Sequence, residues 1–321
     1  MKSVIFLFVG LAALAQVKPA FEVATIKPSA PLDPAAMMAA MQKGGKIPFG
    51  ANITATRAEY TYMDLKTLLT HAYGVKPYQI TGPDWMSTAR FDIIAKLPQG
   101  SKKEDAARML QSLLEDRFKL VTHRAMEEHP VVAIVVGKDG AKLKPSSEKP
   151  VPIDEDAPLK PGEVQLDGPD GPMRGKLNMD GPNISSVLDM GLKGKMTYRI
   201  EAVAKSIRID FNMTTMPGFA DMTTQLLTQL GGGTATRRIV DMTGIEGNYD
   251  ASFEISVAEM MNIARAPGGD APSGPVPVAS DPGGGSTLAD ALQSMGLKLE
   301  TRKANMEQFI VDHIEKTPTE N

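Results

Sequence analysis

Apolar residues recur along this chain in two rhythms, and the places where one gives way to the other mark its elements. From Met63 to Tyr73 they fall at Leu65, Leu68, Leu69 and Ala72. The spacing i, i+3, i+4, i+7 lines one face of an amphipathic helix, and Gly74 follows as its stop. Phe91 to Ala95 predicts a strand. Lys103 to Asp116 predicts a second helix, with Ala106, Met109, Leu110 and Leu113 on one side. Phe118 to Thr122 and Val131 to Val136 predict two further strands, paired with each other. The unbroken β-branched run from Val131 to Val136 suits a central strand buried on both faces.

The second half repeats this order. Phe219 to Leu230 predicts a helix, with Met222, Leu226, Leu227 and Leu230 on one side, ended by Gly231-Gly232-Gly233. Tyr249 to Val257 predicts a strand, Leu288 to Met295 a short helix, and Leu297 to Thr301 and Phe309 to Ile314 two strands. A strand before each unit is read at Ile53 to Thr56 and Arg208 to Asn212. Leu68-Leu69-Thr70 lies on Leu226-Leu227-Thr228 at an offset of 226 − 68 = 158, which also puts Phe91-Asp92 on Tyr249-Asp250. Phe118-Lys119-Leu120 lies on Leu297-Lys298-Leu299 at 297 − 118 = 179. The difference, 179 − 158 = 21, is close to the length of a glycine-proline stretch before Ser286. The expectation is an α+β fold made of an internally duplicated helix–strand–helix–strand–strand unit, with helices packed on mostly antiparallel sheets.

Two stretches break the pattern. Pro145 to Pro182 and Ala266 to Gly285 are rich in Pro, Gly and Asp, and read as loops or linkers because such composition buries little apolar surface. The chain opens on Met1-Lys2-Ser3, an apolar run from Val4 to Leu14, and Ala13-Leu14-Ala15. A basic start, a short apolar run and a small-x-small end make a secretory signal peptide, too short to span a bilayer. The expected organisation is a signal peptide at 1–15, a first repeat at 16–147, a linker at 148–182, and a second repeat at 183–321 with an insertion at 266–285. Gln16 is the expected mature N-terminus, with Phe21 as the alternative. The mature chain is expected outside the cytoplasm, periplasmic or extracellular, with no integral membrane span.

Composition narrows the chemistry. There is no cysteine, so neither a disulfide nor a thiol nucleophile is available, and stability must come from a buried core. A net charge of −3 gives no basic field for nucleic acid. Aromatics make up only 5% of residues, whereas there are 20 methionines, suited to filling core gaps.

Motif chemistry is sparse. The chain has no G-x-S-x-G elbow, no phosphate-binding loop and no G-x-G-x-x-G opening a helix. Ser146-Ser147-Glu148-Lys149 matches S-x-x-K by spacing but lies in a proline-rich loop. His123 and His129, with Glu127 and Glu128 nearby, would need to converge to hold zinc; solvated strand-end residues are the simpler account. His71 sits on the first helix beside its apolar stripe, and Asp167-Gly168-Pro169-Asp170-Gly171 lacks the full calcium-loop series. No catalytic residue, metal site or cofactor is expected.

The most suggestive feature is aromatic. Tyr60, Tyr62, Tyr73, Tyr78 and Trp85 hold four of the six tyrosines and the only tryptophan. Tyr73, Tyr78 and Trp85 are the candidate binding residues, because amphipathic rings dominate recognition surfaces; the plainer account is that they pack the core of this half. Asp92 and Asp250 recur beside aromatics in both halves, and with Gly74 and Gly232 they are expected to be structural. A shared hydrogen bond holding the loop after Gly82 or Gly244 is one such role.

Several segments also resemble a known family. These include Phe21-Glu22-Val23-Ala24-Thr25-Ile26-Lys27-Pro28-Ser29, Tyr78-Gln79-Ile80-Thr81-Gly82 with Trp85, and Arg90-Phe91-Asp92-Ile93. Further on are Leu113 to Leu120, Gly140 to Ser146, Val240-Asp241-Met242-Thr243-Gly244-Ile245 with Gly247-Asn248-Tyr249-Asp250, and Val311-Asp312-His313-Ile314. Together they resemble a large paralogous family of exported soil-acidobacterial proteins carrying a domain of unknown function. Similar domains sometimes sit C-terminal to membrane-bound antirepressor-type metallopeptidases of the β-lactam-sensor kind, so the resemblance implies a sensing or interaction role at the cell envelope. The Met- and Lys-rich stretch from Ser185 to Asn212 departs from the pattern.

The combined expectation is a non-enzymatic binding or sensor-type module whose partner is an unidentified envelope protein or peptide. The alternative is an envelope hydrolase that uses carboxylates without a readable motif.

Overall fold

The computed structural model describes residues 18–31, 50–155, 157–168, 171–230, 238–259, 274–275 and 287–320. The expected signal peptide, Gly232 and most of the expected 266–285 insertion lie outside the described residues, as do the side chains of Leu227 and Leu230.

The chain is α+β, with helices packed on mostly antiparallel sheets. Its first part runs β1 (Val23–Pro28), β2 (Gly50–Ile53), β3 (Arg57–Asp64), α1 (Leu65–Tyr73), β4 (Ile80–Thr81), β5 (Arg90–Lys96), α2 (Asp105–Phe118) and β6 (Val121–Val136). Next come β7 (Lys144–Pro145), β8 (Glu163–Gly168), β9 (Gly171–Asp180), β10 (Asn183–Asp189) and β11 (Lys195–Glu201). The last part runs β12 (Ser206–Thr214), α3 (Met216–Leu230), β13 (Ile239–Asp241), β14 (Tyr249–Ser256), β15 (Gly274–Pro275), α4 (Leu288–Ser294) and β16 (Leu297–His313). One sheet has the strand order β1-β5-β3-β2-β8-β9-β10-β11-β12-β14-β7. The other has the order β13-β6-β16-β15, with β4 also on β16.

Local chemistry explains the junctions. Alternation buries Ala58 and Tyr60 on β3, and a bulge between Tyr60 and Met63 then turns Met63 inward. The bulge holds Tyr62 at φ 56, a left-handed value that a bulky residue keeps only under constraint. Asp64 caps α1 by accepting the Thr67 N–H at 2.8 Å, and Gly74, at φ 65, donates its N–H to the Thr70 carbonyl to close it. In the second half, β12 bulges between Phe211 and Thr214 with Met213 at φ 57, and α3 follows directly. Thus a bulged strand, helix, short strand, strand, helix and long strand come in the same order in both halves, with β15 intervening before the later helix in the second.

Three expectations need correction. Phe118 to Thr122 is not a strand of its own: Phe118 ends α2, Lys119 turns left-handed at φ 52, and β6 then runs unbroken for 16 residues. The run Val131 to Val135 is buried throughout, as expected, but β6 does not fold back on itself. Its partner is the 17-residue β16, to which it pairs from Leu297↔Val136 to Val311↔Thr122. The two segments read as separate strands near the C-terminus are the two ends of β16. Finally, the stretch read as a linker carries β8 and β9. Its glycines serve tight turns: Gly171 and Gly181 have φ 111 and 56, and Gly181 opens the two-residue turn between β9 and β10.

The cores interlock. The first gathers Leu65, Leu68 and Leu69 of α1 with Leu110, Leu114 and Phe118 of α2, and it includes Phe309 and Val311 from β16. The second gathers Phe211, Met216, Phe219 and Met222 with Leu288 and Leu292, and it includes Val132 and Ile134 from β6. The short strands cross over in the same way. Here β4 lies parallel on β16 (Phe309↔Ile80), and β13 lies parallel on β6 (Ile239↔Val132). Full burial stabilises each large side chain by roughly 1.5–3 kcal/mol, so β16 is anchored at both ends, by Leu297 in the second core and by Phe309 and Val311 in the first, and β6 is anchored at its Val132 and Ile134 end. Among the described residues, no helix is long and apolar enough to cross a membrane.

Candidate functional site

The three candidate aromatics are half-buried and occupy separate settings. Tyr73 ends α1, with its ring 4.6 Å from Phe309 of β16 and its hydroxyl 3.3 Å from Glu115 Oε1, to which it donates. Burial, then the Glu115 charge and hydrogen bond, push its pKa well above the usual phenol range. Trp85 sits in a single helical turn, Asp84–Ser87, and packs against the first core. Among the described residues no ring contact joins any two of the three. Tyr60 is 1% exposed and wholly part of the core, and Tyr62 lies under Arg90 at the bulge.

Tyr78 is placed differently. A one-turn helix, Pro77–Gln79, carries it into the seam where the first half meets α3, β13 and β16. Arg238 lies over its ring, with the guanidinium carbon 4.4 Å from the centroid, and Lys76 Nζ is 5.9 Å from that centroid. Lys76 also pairs with Asp221 of α3, which Lys193 reaches at 3.5 Å. Burial raises the Tyr78 pKa, Asp221 adds to the rise, and Lys76 and Arg238 oppose it.

Arg238 immediately precedes β13. Its Nη2 donates to the Tyr78 carbonyl and its Nη1 to the Met306 sulfur at 3.2 Å. With the Gln308 amide turned to suit its neighbours, that side chain accepts from Nη1 and donates to the Gln79 carbonyl, both at 3.3 Å. Gln308 is 1% exposed, so this contact is deep in the seam. Gln79 Nε2 donates to the Glu307 carbonyl at 3.1 Å, fixing the Tyr78 turn against β16. Lys76, Lys193, Asp221, Arg238 and Gln308 were all missed by sequence reasoning. The one available signal was a pair of arginines, 237 and 238, set before the apolar start of β13.

The recurrent residues have structural settings. Asp92 accepts the Tyr62 N–H at 2.8 Å and the Ser29 hydroxyl at 2.6 Å, and Asp250 accepts the Met213 N–H at 3.0 Å. Each carboxylate holds the left-handed residue of a bulge; neither of these bonds goes to the loops after Gly82 or Gly244. Ser146 accepts the Glu148 N–H at 3.4 Å in an exposed loop, and its own N–H bonds to the Asn248 carbonyl. His123 faces Asp312 at 2.8 Å near one end of the β6–β16 ribbon, and His129 faces Glu127 at 3.2 Å along its exposed middle. Among the described residues no group of three or more metal-ligating side chains comes together.

A cleft of about 320 Å³ lies between residues 20–24 and α2, lined by Phe21, Val23, Met109, Leu113 and Asp116. It is of small-molecule size but touches none of the candidate aromatics.

No curated protein and no solved structure matches the chain. A family model described as a protein of unknown function, DUF3738, matches residues 66–314, from α1 to the end of β16. That match covers both helix-bearing halves and the seam between them, and the chain belongs to the DUF3738 family.

Proposed function

We propose that this chain is an exported, non-enzymatic binding or sensor-type module of the cell envelope, built on a duplicated α+β unit and of the soil-acidobacterial type. The observation that carries the reading is the setting of Tyr78. It is an amphipathic ring held half-buried at the seam of two interlocked cores, between Arg238 and Lys76. Tyrosine and arginine are both enriched among the residues that carry most of the binding energy at recognition surfaces. Export is supported by the basic start, the apolar run to Leu14 and the Ala13-Leu14-Ala15 end.

The test is capture of a partner from native envelope extract by the immobilised mature protein. Changing Tyr78 and Trp85 to Ala is expected to abolish capture while the circular dichroism spectrum stays that of a folded protein, with a lowered unfolding midpoint because Trp85 packs against the first core. Undiminished capture by that folded variant would sink the binding reading for the aromatic segment.

A further inference from the structure

The guanidinium of Arg238 is half-buried, and among the described residues no carboxylate lies within ion-pair distance of it. Removing a charge from water is expensive unless an opposite charge or a full set of hydrogen bonds replaces the solvent. The protein partners of Arg238 are a main-chain carbonyl, a neutral amide and a thioether, and none of the three carries charge. They occupy three of the five N–H donors that a guanidinium offers. Among the described residues Nε–H and one hydrogen of Nη2 have no acceptor, and these two nitrogens form the edge of the fork that grips a carboxylate side-on. The rest of the seam holds that edge in place. The guanidinium lies over the Tyr78 ring, and Gln308 is held by Gln79 on one side and Arg238 on the other. Lys76 and Lys193 converge on Asp221 close by, and Lys76 sets a second cation 5.9 Å from the Tyr78 ring centroid. Burial draws the Arg238 pKa down from its usual value, in keeping with a cation that lacks a counter-charge.

We infer that Arg238 is the seat for a carboxylate of the ligand, gripped through Nε and Nη2 against the Tyr78 ring. This rests on the binding reading above and narrows it to ligands that present a free carboxyl group. Two sources offer that chemistry: the C-terminus of a peptide and a small organic acid.

The probes are a short peptide with a free C-terminus, the same peptide amidated, and succinate. The full-length mature protein, with ¹⁵N-labelled arginine, is titrated with each while the Arg238 Nε–H resonance is followed. The free-acid peptide is expected to shift that resonance saturably, and the amide to bind at least tenfold more weakly. A peptide source is indicated if succinate also binds at least tenfold more weakly than the free-acid peptide, and a small-acid source if it binds as well. Arg238→Lys keeps the charge but loses the planar fork, and it is expected to weaken the best probe at least tenfold. If no carboxylate shifts the Arg238 resonance of the wild-type protein, the seat does not exist; that measurement stands even if the variant fails to fold. Equal binding of acid and amide also overturns it. Either result, with envelope capture still dependent on Tyr78 and Trp85, leaves the binding reading intact and removes only the carboxylate.

Discussion

Replacing Asp92 by alanine removes two hydrogen bonds to one carboxylate oxygen, those from the Tyr62 N–H at 2.8 Å and the Ser29 hydroxyl at 2.6 Å. Among the described residues, Asp250 in the second half accepts only the corresponding Met213 N–H, at 3.0 Å. A hydrogen bond to a charged group contributes about 1.5–3 kcal/mol. Solvent reaches both carboxylates, so the low end of that range applies. Asp92→Ala is therefore expected to cost about 3 kcal/mol and Asp250→Ala about 1.5 kcal/mol. Losing the acceptor also leaves Tyr62 at φ 56 with nothing to hold it there. Tyr62→Gly, placed on top of Asp92→Ala, should recover about 1 kcal/mol, the usual penalty for a side chain in the left-handed region. Urea unfolding gives the totals, and amide hydrogen exchange at Tyr62 and Met213 reports each bulge separately. Equal losses in the two alanine variants, within about 0.5 kcal/mol, would refute the argument that the carboxylates act as bulge clamps. So would an Asp92→Asn variant as unstable as Asp92→Ala, because the amide oxygen can still accept the Tyr62 N–H.

Further predictions concern a glycine pair and a tyrosine. At Gly296, φ is 72 and an added Cβ would overlap the Gly140 carbonyl oxygen, whereas Gly74, at φ 65, has open space around it. Gly74→Ala is expected to lower stability by about 1 kcal/mol and Gly296→Ala by about 3 kcal/mol or more, read by thermal unfolding. Similar losses at the two sites would contradict the close approach. The raised Tyr73 pKa means the folded state keeps its proton at pH values where the unfolded chain has lost it. Stability should accordingly fall as pH climbs above about 10, the ordinary phenol value, and Tyr73→Phe should fall less steeply. A steeper fall in the variant would reverse the sign of the argument.

What could be read from the sequence follows from where the periodicity is clean. Leu65, Leu68, Leu69 and Ala72 mark α1 because one face is buried and the other wet. The middle of β6, by contrast, runs through Arg124, Met126, Glu127 and Glu128, all exposed. With no buried face it carries no alternation, so one long strand read as two. The bulges also left no mark in the pattern of apolar positions. Leu65 and Met216 each open the helix after a bulge, an offset of 216 − 65 = 151 rather than 158. The left-handed residues after the later helices, Lys119 and Gly296, give 296 − 119 = 177 rather than 179. The seam was invisible for a different reason. Arg238 and Tyr78 are 160 residues apart in sequence, and neither local spacing nor composition links a turn in one half to the start of a strand in the other.

The long β6–β16 ladder has a consequence for how the molecule comes apart. Residues 147–149 lie on an exposed loop between β7 and β8, a natural target for proteolytic nicking. A cut there severs the backbone but leaves each fragment gripping the other through sixteen paired positions and two side chains lent to the opposite interior. The nicked protein should migrate as one species under native conditions and as two pieces in denaturant. The same two pieces, produced separately, should reassemble when mixed.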